Sequence, residues 1–212
     1  MAELVVEILD YWHVGSSRGS GVAADAVCLR DRHGLPYLPG RQLKGLLRDA
    51  VHHCPLVVEH VPDRTRDQVV ELLFGTEGFV TVGEAGERQA VETTVRGALG
   101  VSDARLPEAI RTYLARDTAG HLRAHLFAAM TQTAVDHDRG AAFAGSLRRT
   151  EVAVPLELRA GLEWLDSPEV EEAVPWQALI ADALPLVNAI GRHRSRGLGR
   201  CRLSLAVGDD KR

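Results

Sequence analysis

The densest concentration of residues able to do chemistry is Gly191-Arg192-His193-Arg194-Ser195-Arg196-Gly197-Leu198-Gly199-Arg200, a G-x5-G-x-G pattern interleaved with arginines. Glycine reaches positive φ and lets another backbone come close, so successive N–H groups can turn toward an oxyanion. Arginine adds forked donors that suit phosphate. The pattern predicts a phosphodiester contact, with Arg192, His193, Arg194 and Arg196 as donors and Gly197 and Gly199 as permissive points. An exposed basic turn has the same composition. It is not a dinucleotide fingerprint, because it follows a predicted helix and precedes a predicted strand.

A second cationic surface lies at Pro36-Tyr37-Leu38-Pro39-Gly40-Arg41-Gln42-Leu43-Lys44-Gly45. Free N–H groups at a helix start, with Arg41, Lys44 and Arg48, suit phosphate; a solvated helix face is the plainer alternative. Gly45 falls mid-helix, where glycine costs about 1 kcal/mol against alanine, which points to close approach there. His13 ends the first predicted strand beside a glycine loop and is a candidate for positioning a ligand, against the alternative of a packed histidine. Cys28, Cys54 and Cys201 are isolated, with no C-x-x-C pair. Neither a disulfide framework nor a structural zinc site is expected.

The elements that must position these residues follow from periodicity. Glu3–Asp10 reads as a strand, and Gly15–Gly21 as a polar glycine loop. Pro39-Gly40 opens a helix whose Leu43, Leu46, Leu47, Ala50, Val51 and Cys54 form one face, and Pro55 stops it. Further helices are predicted over Arg66–Phe74 and Leu106–Ala115, with loop and hairpin over Gly75–Arg88 and a strand over Val95–Val101. Asp136–Gly140 reads as a turn, and Arg149–Leu158 as a single half-buried strand. Pro175–Ile190 is an apolar helix bent at Pro185, and Cys201–Val207 a final strand. This order predicts an α+β fold, a ferredoxin-like βαββαβ sheet in one domain over residues 1–212, with insertions at about 56–95 and about 105–150.

The 212 residues are 45% hydrophobic and 25% charged, ordinary for a globular protein. No apolar run approaches the roughly 20 residues that span a bilayer, and the N-terminus does not read as a signal peptide, so a cytoplasmic protein is expected. The net charge of −4 does not exclude nucleic acid. Acids cluster in Glu71–Glu92 and Glu157–Glu172 while arginines cluster in Arg192–Arg202, and binding depends on the local patch.

Five stretches, in order, carry a family resemblance. Gly34-Leu35-Pro36-Tyr37-Leu38-Pro39-Gly40-Arg41-Gln42-Leu43-Lys44-Gly45-Leu46-Leu47-Arg48 resembles the G-x-P-y-I-P-G-S-S-L-K-G-x-x-R segment of RAMP-superfamily CRISPR-associated proteins. Trp12–Ser16, Gly97–Ala104, Asp136–Glu151 and the C-terminal glycine loop resemble that family's other signatures. The group most resembled is the repeated backbone subunit of type III CRISPR effector complexes. The resemblance implies a modified RRM with an inserted thumb hairpin and lid region. It implies guide RNA (crRNA), target RNA, copies of the same chain and other effector subunits as partners, with no membrane.

It further implies target-RNA cleavage as a metal-dependent endoribonuclease, with Asp25 catalytic, Asp31 (otherwise a turn residue) as the fallback, and a divalent metal such as Mg as cofactor. RNA contacts are implied for His13, Arg18, Arg41, Lys44, Arg48, Arg139, Phe143 and Arg148 as well as the C-terminal loop, with Phe143 as the thumb aromatic touching a base. Arg41-Gln42 departs from the family's Ser-Ser. A non-catalytic capping subunit, and a metal-independent nuclease processing precursor guide RNA with a histidine base, remain open alternatives.

Overall fold

Alternation in the first strand, β1 (Ala2–Ile8), buries Leu4, Val6 and Ile8 and turns Glu3 and Glu7 to water. The computed structural model of the chain describes residues 1–15, 26–76, 79–81, 88–90, 95–136, 138–143 and 145–206. After β1 come α1 (Gly40–His53), α2 (Val57–His60), α3 (Arg66–Phe74), β2 (Phe79–Thr81), β3 (Arg88–Ala90) and β4 (Leu99–Val101). Then follow α4 (Glu108–Leu114), α5 (Gly120–Ala124), β5 (Phe127–Gln132), β6 (Val135–Asp136), β7 (Ala141–Ala142) and β8 (Arg148–Ala153). The chain continues with β9 (Glu157–Trp164), α6 (Pro168–Glu172), α7 (Trp176–Ala183) and β10 (Cys201–Ala206).

The central sheet is antiparallel, in the order β10-β1-β9-β4. Val6 of β1 sits opposite both Leu203 and Leu158. The apolar face of this sheet, with Leu158, Ala160 and Leu162, shares one core with Leu43, Leu47 and Val51 of α1 and with Leu179, Ile180 and Ala183 of α7. Each such leucine contributes roughly 2 kcal/mol by leaving water. On the outer face Arg159 bridges Glu3 at 3.0 Å and Glu157 at 2.9 Å. The class is α+β as expected, and the sheet with its two core helices runs β1-α1-β4-β9-α7-β10 along the chain. The remaining strands form two-stranded ladders, β2–β3, β5–β8 and β6–β7.

Three expectations are corrected. Arg149–Leu158 is not one strand: β8 pairs with β5, whereas β9 joins the central sheet, and Pro155 falls in the break. Val95–Val101 becomes a strand only at Leu99, because Gly97 is packed on the end of α3. A Cβ there would lie 2.3 Å from the Phe74 carbonyl carbon. The helix over Pro175–Ile190 ends at Ala183, and a 3-10 turn over Leu184–Leu186 accommodates Pro185. Trp176 is fully buried and stacks on Trp164 at 6.2 Å, so both indoles serve the core.

The start of α1 depends on another element. Its N-cap residue is Pro39, which supplies no side-chain acceptor. Asp103, just after β4, accepts from the Gly40 N–H at 2.9 Å and holds Arg105 at 2.8 Å. Helix and strand exit are in direct backbone contact: a Cβ on Gly40 would lie 2.4 Å from the Val101 carbonyl oxygen. Asp103→Ala is expected to cost about 1 kcal/mol, the usual loss for a removed helix cap, read by denaturant unfolding. Asp103→Asn, which keeps the acceptor, should lose less.

Candidate nucleic-acid interface

The chain leaving β1 supplies the anchor for the C-terminal glycine loop. Trp12 fixes this segment, its ring buried and its Nε1 donating to the Val154 carbonyl at 3.0 Å. The Arg192 N–H donates to the His13 carbonyl at 2.7 Å, and the Gly199 N–H to the Tyr11 carbonyl at 2.8 Å. Between these ties, Leu198 is buried as an apolar anchor while Arg192, Arg194 and Arg196 stay exposed.

The ties explain the glycines. Gly191 has φ +76°, and a Cβ there would meet the His13 carbonyl oxygen at 2.4 Å. Gly199 has φ +72°, and its Cβ would lie 2.1 Å from the Ile190 carbonyl oxygen. Gly199 thus closes the loop against its own chain and is not presented to a ligand, a correction to its expected role. Gly197, at φ +87° with open space where a Cβ would project, serves the turn conformation. His193 also sits in the left-handed region, at φ 62°. Desolvation, then the charges of Arg192, Arg196 and His13, hold its pKa below the usual histidine value. A neutral ring offers a phosphate one N–H, not two.

An open groove of about 1110 Å³ lies between this loop and α1. Arg192 and Arg194 stand on one wall; Arg41, Gln42, Gly45, Leu46 and Asp49 form the other. The helical wall reads i, i+1, i+4, i+5 and i+8, one stripe at a period of 3.6. Arg41 at its start is exposed, so the groove carries guanidinium groups on both walls with Asp49 as the carboxylate among its lining residues. Gly45 faces it with no atom within 4 Å of a would-be Cβ, which bares the helix backbone.

Lys44 and Arg48 are not brought to the groove. Lys44 donates to the Leu99 carbonyl at 2.8 Å and Arg48 to the Gly75 carbonyl at 2.9 Å, tying α1 to the strand and glycine turn on its other side. Burial, followed by the nearby charges of Arg96 and Arg48, lowers the Lys44 pKa.

His13 belongs to the floor and not to the accessible surface. Its imidazole is fully buried, Nδ1 lies 2.6 Å from the Glu151 carbonyl oxygen, and Nε2 has no partner among the described residues. Since a carbonyl can only accept, the proton is assigned to Nδ1. The Cys28 thiol is 3.6 Å from that nitrogen; burial and then the Glu151 charge push its pKa up to about 12, so it is no nucleophile at neutral pH. Glu151 is the hub: its carboxylate accepts from the Cys28 N–H at 2.9 Å and from Arg30 at 2.6 Å.

Asp25 and Arg18 lie outside the described residues. Ala26, the neighbour of Asp25 in sequence, bridges Thr150 of β8, and its carbonyl accepts from the Glu151 N–H at 2.9 Å. Arg139, Phe143 and Arg148 are exposed on the β6–β7 hairpin and the start of β8, and none lines the groove. Arg139 is 3.8 Å from Asp136 across the turn. Asp49 went unnoticed in the sequence, although stepping by four from Arg41 through Gly45 reaches it, and Gln42 reads there only as a departure from the family's Ser-Ser. Among the described residues no helix is long and apolar enough to cross a membrane.

The sequence model of the RAMP superfamily matches residues 5–202. No curated protein matches the chain. Among solved structures, a chain of the type III-B Cmr-beta bound to cognate target RNA superposes with TM-score 0.64 at 12% identity, over 96% of each chain. A chain of type III-B Cmr-beta in the apo state superposes with TM-score 0.57 at 14% identity, over 98% of this chain and 97% of that one. Identities this low speak to the fold alone.

Two glycine substitutions should move stability in opposite directions. Gly45→Ala meets no atom and adds helix propensity, so unfolding free energy should rise by about 1 kcal/mol. Gly199→Ala must place a Cβ into a carbonyl at positive φ, and should cost on the order of 1–3 kcal/mol. Thermal and denaturant melts followed by circular dichroism read both.

Proposed function

The chain belongs to the RAMP superfamily, and from that premise we propose that it is a guide-RNA-binding backbone subunit of a type III CRISPR effector complex. The observation that carries this reading is the groove with arginines on both walls: Arg41 from α1, and Arg192 and Arg194 from a loop fastened to the end of β1. Guanidinium forks on two sides of an open channel suit a sugar-phosphate backbone, and the bared helix at Gly45 lets that backbone approach closely. A fold like that of a chain from an assembly bound to cognate target RNA supports the same reading. In it the sheet is a modified RRM, and the hairpin bearing Arg139, Phe143 and Arg148 is the thumb that meets the paired target. Target RNA, copies of the chain and other effector subunits are the partners.

The reading includes cleavage of the target RNA, with Asp25 as the catalytic carboxylate. A divalent cation such as Mg would supply charge stabilisation at the phosphate; such an ion keeps several waters and takes one or two carboxylates. Among the described residues no three His, Cys, Asp or Glu side chains converge on a metal position. The described residues therefore do not build such a site. Ala26, the residue after Asp25 in sequence, is tied to β8 by the Glu151 N–H on its carbonyl. Histidine-based processing of precursor RNA, the alternative with His13 or His193 as base, loses His13, whose ring is buried in the floor, and keeps His193.

Two experiments test this. Arg192→Ala with Arg194→Ala should weaken single-stranded RNA binding and reduce the slope of log K against log salt by about 0.7 for each phosphate no longer neutralised. Unchanged affinity at low and high salt would remove the groove from the reading. In a reconstituted complex, Asp25→Ala should abolish cutting of the target while guide and target binding persist; cutting at the normal rate would show that Asp25 is not catalytic.

A further inference from the structure

A second, smaller pocket opens on the opposite side of the extended segment that floors the groove. Leu29 lines the groove, and the next residue, Arg30, lines this pocket, as alternation along extended backbone requires. The pocket measures about 350 Å³ and shares no lining residue with the groove. Arg30, Arg32, Arg105 and Arg111 converge on it from the turn before α1, the chain after β4, and α4, with Tyr37 beside them. Four guanidinium groups thus line one small pocket.

Most of these arginines are held from behind. Arg30 is gripped by Glu151 at 2.6 Å and lies over the Phe127 ring at 3.8 Å. Arg105 is held by Asp103 at 2.8 Å, with Asp31 at 3.6 Å and the Tyr37 ring at 5.3 Å. Arg111 pairs with Glu108 at 2.5 Å. Arg32 has no carboxylate partner among the described residues; its Nε donates to His33 Nε2 at 3.0 Å. These carboxylates balance charge overall, but of them only Asp31 lines the pocket, and its Oδ1 already accepts from the His33 and Leu35 N–H groups. Each pairing occupies part of a guanidinium and fixes its plane, leaving further N–H groups as oriented donors.

We infer that Arg30, Arg32, Arg105 and Arg111 form a second phosphate-binding site, which takes a phosphodiester of a nucleic-acid strand other than the one in the groove. Convergent forks match the tetrahedral oxygens of a phosphate, and the Tyr37 ring offers an adjoining face for a sugar or base. The site rests on the nucleic-acid reading only for the source of its phosphate.

The full-length chain, treated with the arginine reagent phenylglyoxal and read residue by residue by mass spectrometry, tests both sites at once. Single-stranded RNA should slow modification of Arg32 and Arg111 severalfold, alongside Arg192 and Arg194. Protection of Arg192 and Arg194 with unchanged rates at Arg32 and Arg111 would overturn the second site and leave the groove standing. Protection of Arg32 and Arg111 alone would support the second site and count against the groove. Inorganic phosphate that protects these two residues when RNA does not would uphold the phosphate chemistry and overturn the strand as its source. Equal protection by polyglutamate would overturn the phosphate assignment in favour of an acidic peptide.

Discussion

Two backbone hydrogen bonds, from Arg192 to the His13 carbonyl and from Gly199 to the Tyr11 carbonyl, set where the cationic loop stands. Both acceptors belong to the segment leaving β1, which Trp12 locks into the core. Neither glycine beside these bonds has room for a Cβ: one on Gly191 would meet the His13 carbonyl oxygen, and one on Gly199 the Ile190 carbonyl oxygen. The loop is therefore not a free basic tail. Its exposed arginines project from a frame tied to the central sheet, so little order has to be acquired when a ligand arrives.

Helix α1 divides its surface among three tasks. One stripe, with Leu43, Leu47 and Val51, fills the core; another, with Lys44 and Arg48, satisfies carbonyls of the β4 and Gly75 backbone. The stripe from Arg41 to Asp49 is left for the groove. Glu151 plays a similar joining role on the other side. Through Cys28 and Arg30 it links β8 to the extended segment whose two faces line the groove and the arginine pocket. Local charge here departs from the whole-chain balance because arginines, not net charge, line the concave surfaces.

Much of the fold was legible in residue order. The alternation in β1, the apolar stripe of α1 and the helix over Arg66–Phe74 are local signals, and local signals survive into structure. The misreadings share a cause. Arg149–Leu158 alternates without interruption, so only the competition between two sheets for its halves reveals that Pro155 divides it. Lys44 and Arg48 read as surface cations because a sequence shows a charge but not the carbonyl that will occupy it. His13, marked by its place beside a glycine loop, turned out to be enclosed by the very strand that was misread.

The glycine-and-arginine loop and the helix entrance were determined as cationic features by sequence alone, since positive φ at glycine and charge at arginine are intrinsic to those residues. Which arginines meet, and around what space, was decided only by tertiary structure. Arg41 and Arg192 are far apart in the chain and share a groove because β1 and β10 are sheet neighbours. Arg30 and Arg111 share a pocket because the chain after β4 returns alongside the turn before α1, with Ala104 bridging Leu38. Convergence of side chains from distant segments is a property of the packed sheet and helices, and no local pattern encodes it.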